Sequence, residues 1–240
     1  MNKKEFKENL LGLAIKENIN ITDPNAELFY KYMNLLIEWN EKVNLTSIVE
    51  PQEIIVKHFI DSLIVERYVK DNNSIIDVGT GAGFPGIPLK IQNNSLKITL
   101  LDSLNKRIKF LNEVICLFEL YDVEAIHGRA EDFGMEDKYR EKYDICVSRA
   151  VAKLNVLAEY MLPFVKIGGQ CLCMKGPNLA EEIEEAEKAI KKLGGKIKKI
   201  DNFILPDGKN ERNIVIISKI SSTKNEFPRN AGKIKKAPIK

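Results

Sequence analysis

The sequence is poor in what metal and redox centres need. Its 240 residues hold two histidines, His58 and His127, and four cysteines, Cys116, Cys146, Cys171 and Cys173, none in CxxC spacing. That spacing argues against a Cys/His zinc site, and no metal is expected. Cys171 and Cys173 alternate along an apparent strand, so they share one face as small buried hydrophobes. No apolar run approaches the roughly 20 residues that span a bilayer. The basic start Met1–Lys7 is not followed by a signal-peptide apolar segment, so no membrane partner and a cytoplasmic location are expected. The hydrophobic share of 44% and charged share of 30% are those of an ordinary globular chain with material for one sizeable core.

A strong excess of one charge is also missing, since the net charge is +3. What charge there is lies unevenly. From residue 224 to 240, Lys224, Arg229, Lys233, Lys235, Lys236 and Lys240 face only Glu226. The tail therefore carries +5 and the remainder −2. Such a patch can neutralise phosphates, or it can be a solvated end. Lys188, Lys191, Lys192, Lys196, Lys198 and Lys199 form a second cluster. It follows a run of glutamates, and there the solvated-surface reading is preferred.

Three stretches emerge: an N-terminal helical extension over 1–72, a main domain over 73–221 and a basic tail over 222–240. Asp23-Pro24 predicts a helix start, with a capping side chain and then proline. Leu28, Phe29, Tyr32, Leu35, Leu36 and Trp39 follow at helical spacing. The segment 40–46 breaks that pattern, and Pro51 opens another helix through Ile64. Short apolar runs then alternate with helices. Strands are predicted at Ser74–Val78, Lys97–Leu101, Val123–His127, Tyr143–Val147 and Gln170–Met174, with helices near 86–92, 104–119, 152–165 and 178–193. This rhythm predicts a parallel sheet covered on both faces. Lys196–Ile204 and Asn213–Ile220 flank an Asp207-Gly208 turn, which predicts a terminal antiparallel hairpin.

The chemistry centres on Asp77-Val78-Gly79-Thr80-Gly81-Ala82-Gly83-Phe84-Pro85-Gly86, a strand end followed by a glycine-rich turn and a helix. Glycines let the backbone turn tightly and pass close to a ligand, and this edge of a doubly wound sheet is where ligands bind. Gly81 to Gly86 is a literal GxGxxG, which also fits a nicotinamide dinucleotide. Three features favour S-adenosylmethionine: Asp77 ahead of the glycines, no second domain for a dehydrogenase substrate, and the terminal hairpin. Asp77 could fix the loop or reach the donor's amino acid end. Asp102, ending the second strand, could accept both ribose hydroxyls, or it could cap the next helix. Backbone groups of Ala130 and Glu131, in Gly128-Arg129-Ala130-Glu131-Asp132, could meet an adenine. Arg149, in Ser148-Arg149-Ala150, could hold a carboxylate or approach a target base. His58 and Asp61, three apart on a helix, share a face. They could line a base site, and packing of the helix on the main domain is slightly preferred. Lys175 could touch RNA phosphate.

These residues resemble the bacterial small-subunit ribosomal RNA guanine-N7 methyltransferase family, also called glucose-inhibited division protein B. The resemblance runs through Trp39-Asn40 with Asn44-Leu45-Thr46, Lys57 to Leu63, Asp77 to Pro88, Gly128 to Glu131, Ser148-Arg149-Ala150, Lys175-Gly176 and Phe227 to Gly232. The first twenty residues carry none of it. The resemblance implies a Rossmann-like class I S-adenosylmethionine-dependent methyltransferase. Its expected α/β fold is a doubly wound, mostly parallel sheet ending in an antiparallel hairpin. The implied reaction is methylation of guanine N7 in the 530 loop of 16S ribosomal RNA. Implied donor contacts are Gly79, Phe84, Ala130, Glu131 and Arg149, and Arg229 is an implied RNA contact. Partners would be 16S ribosomal RNA or a small-subunit assembly intermediate, and a monomer is expected.

Guanine N7 carries a lone pair and no proton, so the reaction needs no general base, and no catalytic base is assigned. Arg149, His58 and Lys175 are candidates for standing near the target base. No Asn/Asp-Pro-Pro-aromatic segment marks exocyclic-amine methylation, and no Pro-Cys or Thr-Cys pair is placed to attack a pyrimidine. Two other functions remain: an NAD(P)-dependent oxidoreductase, on the literal GxGxxG, and a non-catalytic RNA-binding assembly factor, on the basic tail.

Overall fold

The computed structural model describes residues 1–149, 152–177 and 179–239. Seven strands form one sheet: β1 (Ser74–Val78), β2 (Lys97–Asp102), β3 (Val123–His127), β4 (Tyr143–Arg149), β5 (Val165–Lys175), β6 (Gly195–Ile204) and β7 (Glu211–Lys219). Their order is β3-β2-β1-β4-β5-β7-β6. The first five are parallel, while β7 runs antiparallel to both β5 and β6. The expected hairpin is present. Asp207 ties its turn by accepting from the N–H groups of Lys209 and Asn210. Three strands, β2, β4 and β5, run past their predicted C-terminal ends, and the longer β4 makes Arg149 its last residue.

Period-two alternation sorts the sheet residues onto two faces. Ile75, Ile98, Leu100, Val147 and Leu172 face one core, and Ile76, Leu101, Cys146, Cys171 and Cys173 face the other. The first core is covered by α1 (Lys3–Lys16), α2 (Asp23–Val43), α3 (Pro51–Ile54), α4 (Asp61–Leu63), α5 (Gly86–Gln92) and α6 (Asn105–Leu117). After the short α7 (Ala130–Phe133), the second core is covered by α8 (Leu154–Met161), α9 (Ala180–Lys192) and the tail helix α10 (Ala231–Lys236). Asn178, the first residue of the helix expected from 178, lies outside the described residues.

The N-terminal helices thus share a continuous core with the sheet. Helix α2 buries Ala26, Phe29, Tyr32, Met33 and Leu36. Each large apolar side chain so buried contributes about 1.5–3 kcal/mol. Their sum exceeds the ~1 kcal/mol typical of an end cap, so packing holds this helix in place. Its cap differs from the expectation: Thr22 accepts from the Asn25 N–H, and Asp23 is already helical. The helix also runs past Asn40 to Val43 and stops on a left-handed Asn44. The Asn40 side chain then accepts from the N–H groups of Leu45 and Thr46, fixing the exit loop. Between α3 and α4 the chain makes a π-helical turn, Ile55–Ile60, a geometry often found at functional sites.

The basic tail is folded onto the body. Phe227 and Ile234 are buried. Arg140 donates to the carbonyls of Thr223, Lys224 and Phe227.

Candidate active site

Strands β1 to β4 end along one edge, and the strand order reverses between β1 and β4. That edge holds a cleft of 760 Å³, at the place where open α/β sheets bind ligands.

The glycine turn forms its floor. Gly79, Gly81 and Gly83 all have positive φ. The N–H groups of Gly79 and Thr80 donate to the Leu101 carbonyl, tying the turn to β2. Asp77 is fully buried and works from below. Its Oδ2 accepts from Thr80 Oγ1 at 2.7 Å and from the Gly86 N–H at 2.9 Å, whereas Oδ1 is buried without a protein partner. Burial pushes its carboxyl up to about 7. Of its two expected roles, the geometry displays the loop-fixing one.

The glycines of the literal GxGxxG play different parts. A Cβ on Gly81 would enter open space in the cleft. A Cβ on Gly83 would sit 2.6 Å from the Tyr32 hydroxyl, and one on Gly86 would press on Leu100 and Asp77. In a dinucleotide fold the second glycine makes room for a pyrophosphate. Here Tyr32 fills that room and donates to the Ala82 carbonyl. Gly83 is therefore a packing glycine and does not line the cleft.

Asp102 stands at the end of β2. Its Oδ2 accepts from the Gly81 N–H at 2.9 Å and from Arg107 at 3.0 Å, and its Oδ1 accepts from the Leu104 N–H at 2.9 Å. Three of roughly four acceptor directions are taken. A ribose using both oxygens would displace Arg107. Ala130 and Glu131 open α7 beside the cleft, where the first N–H groups of a helix have no acceptor within it.

Arg149 lies at the other side of the turn. Its Nη1 donates to the Lys57 carbonyl at 2.8 Å and to Asp61 Oδ2 at 3.2 Å, and its Nη2 approaches His58 Nδ1 at 3.0 Å. A guanidinium can only donate, so Nδ1 is the bare nitrogen of His58. Nε2 then carries the hydrogen and donates it to Thr46 Oγ1, 3.0 Å away. Burial, reinforced by the Arg149 charge, lowers His58 to about 3. The imidazole is neutral with both nitrogens committed. Phe84 stacks against it and also lies under Arg149, 5.0 Å from ring centre to guanidinium carbon. Ala150 lies outside the described residues.

The cleft gathers Gly79, Gly81, Phe84, Asp102, Ala130, Glu131, His58 and Arg149. It leaves out Lys175, whose ammonium donates to the Ala152 carbonyl and pairs with Glu182, both at 2.7 Å. It leaves out Arg229 as well, which forms a two-pronged pair with buried Glu159 at 2.8 and 2.7 Å. That pair docks the tail so that Ala231, Lys235 and Pro238 reach the cleft. The helical stripe that places Tyr32 in the core carries no sign of its hydroxyl contact with the turn. Nor does any local pattern pair Arg107 with Asp102 or bring Thr46 to His58. Among the described residues, no group of three or more His, Cys, Asp or Glu side chains could hold a metal.

The residues present fit S-adenosylmethionine. Gly81 keeps open a space that any side chain would enter, the Asp102 carboxylate lines the same cleft, and Asp77 holds an unpartnered oxygen beneath the turn.

Comparisons agree. The family model described as "GidB: rRNA small subunit methyltransferase G" matches residues 25–215. The chain is 52% identical over 237 residues to Ribosomal RNA small subunit methyltransferase G of Alkaliphilus oremlandii, covering 98% of each. It is 50% identical over 242 residues to the protein of that name from Acetivibrio thermocellus, covering all of both. Among solved structures, P. horikoshii TYW2 in complex with MeSAdo aligns with a TM-score of 0.54 at 16% identity, over 65% of this chain and 60% of that one. A SAM-dependent methyltransferase from Aquifex aeolicus aligns with a TM-score of 0.51 at 17% identity, over 70% of this chain and 93% of that one. These structural likenesses show the class I methyltransferase fold. The family model and the near-full-length relatives go further: the chain belongs to the rRNA small subunit methyltransferase G family and is a methyltransferase that uses S-adenosylmethionine.

Proposed function

We propose that the chain methylates N7 of a guanine in the 530 loop of 16S ribosomal RNA, as a cytoplasmic monomer acting on that RNA or on an assembling small subunit. The RNA class rests on the relatives' shared name. The observation that carries the choice of N7 is the state of His58. Its Nδ1 accepts from Arg149 and its Nε2–H is given to Thr46, so this imidazole at the cleft has no lone pair for a substrate proton. Guanine N7 offers no proton to remove.

S-adenosylmethionine supplies a sulfonium methyl open to in-line displacement. The chain's residues bind and orient. Asp102 takes the ribose, the backbone of Ala130 and Glu131 takes the adenine, and the turn from Gly79 to Phe84 carries the methionine portion. The target base must leave its stack to enter, and the rate then rests on proximity and alignment, worth up to roughly 7–11 kcal/mol. Lys153 and Lys235 at the cleft are suited to hold the RNA backbone.

The test is labelled methyl transfer from S-adenosylmethionine to naked 16S RNA, an assembly intermediate and the complete subunit, followed by mass mapping. N7-methylguanine in the 530 loop is expected in at least one. Label confined to any other atom or loop refutes the target.

A further inference from the structure

Strand order places the donor along the cleft. Asp102 on β2 and Ala130 and Glu131 after β3 mark the adenosine end, so the methionine end lies over β1 and β4, where Arg149 ends its strand. Resting on that assignment, we propose that His58 and Asp61 are positioning residues that aim Arg149 at the donor's α-carboxylate, so the N-terminal helical segment builds part of the donor site.

The geometry supports this in three ways. Among the described residues, the contacts of Arg149 with Lys57, Asp61 and His58 use three of its five N–H donors. They leave Nε–H and one Nη2–H, donors that suit a carboxylate. Second, the clamp is buried. Asp61 is 2% exposed and His58 6%, and Arg212 of β7 closes it from behind, its Nε 3.3 Å from Asp61 Oδ1. Burial pushes the Asp61 carboxyl up, and the two arginines oppose that shift. Third, the clamp is specific to an arginine that must stay put. A long side chain otherwise loses rotamer freedom on binding each ligand, and here that cost falls on folding.

The experiment is calorimetric titration of the full chain with S-adenosylmethionine and with decarboxylated S-adenosylmethionine, which lacks only the carboxylate. The native protein should favour the complete donor by roughly ten- to a hundredfold, as expected for a hydrogen bond to a charged group. Asp61→Asn and, separately, His58→Asn should shrink that gap several-fold and leave the decarboxylated ligand's affinity within about twofold. Arg149→Gln should abolish the gap, and adding Asp61→Asn to it should change nothing further. Melting temperatures identify a variant that fails to fold, in which case the other variant decides. Equal weakening of both ligands would mean general damage to the cleft and overturn the proposal, as would an unchanged gap in both variants. No gap in the native protein would overturn the carboxylate contact itself. No binding of either ligand by the native protein would sink the donor-site assignment along with it.

Discussion

The imidazole of His58 lies nearly flat against the ring of Phe84, with centroids 4.3 Å apart and 15° between planes. One residue belongs to the π-helical turn of the N-terminal segment, the other to the exit of the glycine turn. The helices before the sheet therefore touch the exit of the glycine turn directly.

This contact makes His58 a buried neutral group with a measurable signature. The folded chain holds it unprotonated down to about pH 3, whereas an unfolded imidazole takes its proton near 6.5. Its contribution to stability is complete above pH 6.5 and is lost as pH falls from there toward 3, at up to about 1.4 kcal/mol per pH unit. Urea midpoints at pH 7.5, 6 and 5 should fall for the native chain and fall less steeply for His58→Asn. Parallel slopes would contradict a neutral buried His58.

Asp77 titrates in the opposite sense. Its folded value of about 7 stands above the ordinary 3.8. The stabilising difference is complete below 3.8 and disappears as pH rises through 7, where the buried carboxyl must ionise. Relative to Asp77→Asn, the native chain should therefore lose stability between pH 4 and 7, again at up to about 1.4 kcal/mol per unit. Chemical denaturation of both proteins at pH 4.5 and 7 measures this. A difference that does not move with pH would show that Asp77 does not titrate there.

Two glycines of one turn should fail differently. Gly81→Val puts a side chain into the cleft from a backbone at φ +64°. It should abolish S-adenosylmethionine binding at a modest cost in stability, ~1–2 kcal/mol for the left-handed conformation. Gly83→Ala drives a methyl against the Tyr32 hydroxyl and Ile87, and the overpacking should add about 1–3 kcal/mol of destabilisation. Calorimetric binding and thermal melts separate the two. Tight donor binding by Gly81→Val would remove the turn from the site.

The tail needs a gentler test than truncation. Arg229→Ala leaves the Glu159 carboxylate buried and unpaired, an error worth about 3–5 kcal/mol, so it should undock α10 and lower the melting temperature. Lys233, Lys235 and Lys236 are exposed, and changing all three to Gln should leave the melt unchanged. If they meet phosphates, RNA affinity falls and the slope of log affinity against log salt becomes shallower by about 0.7–0.9 for each phosphate no longer neutralised. An unchanged slope would assign the lysines to solvent.

The fold is legible in the sequence because its signals are local. Apolar runs, a glycine turn and an Asp-Gly hairpin each occupy a few neighbouring residues, and the strand ends differ from expectation by one or two residues except at β5, which begins five residues early. The candidate cleft is legible for the same reason: Asp77 and Asp102 stand at the ends of β1 and β2 and Gly81 in the turn after β1, and topology brings them to one edge. The roles of individual side chains are not. The sequence offers Arg229 and Lys175 as RNA contacts, and in the structure both are paired with glutamates on other elements. The hydroxyl of Tyr32 is invisible to a hydrophobic pattern, because the ring satisfies that pattern alone. Such pairings depend on which distant segment arrives, and no spacing encodes that.

The apolar stripe of α2, which covers one face of the sheet, also sets a timetable. Phe29, Tyr32 and Leu36 leave the ribosome well before Ile98, Leu100, Val147 and Leu172, the residues they share a core with. Until β4 and β5 have been synthesised, the sheet that stripe rests on is incomplete, and long-range closures of this kind are slow and exposed. Before that, the stripe has only the other N-terminal helices to pack against, through contacts such as Phe29 and Tyr32 with Phe59. A shielding factor or a pause in translation would act most strongly over that interval.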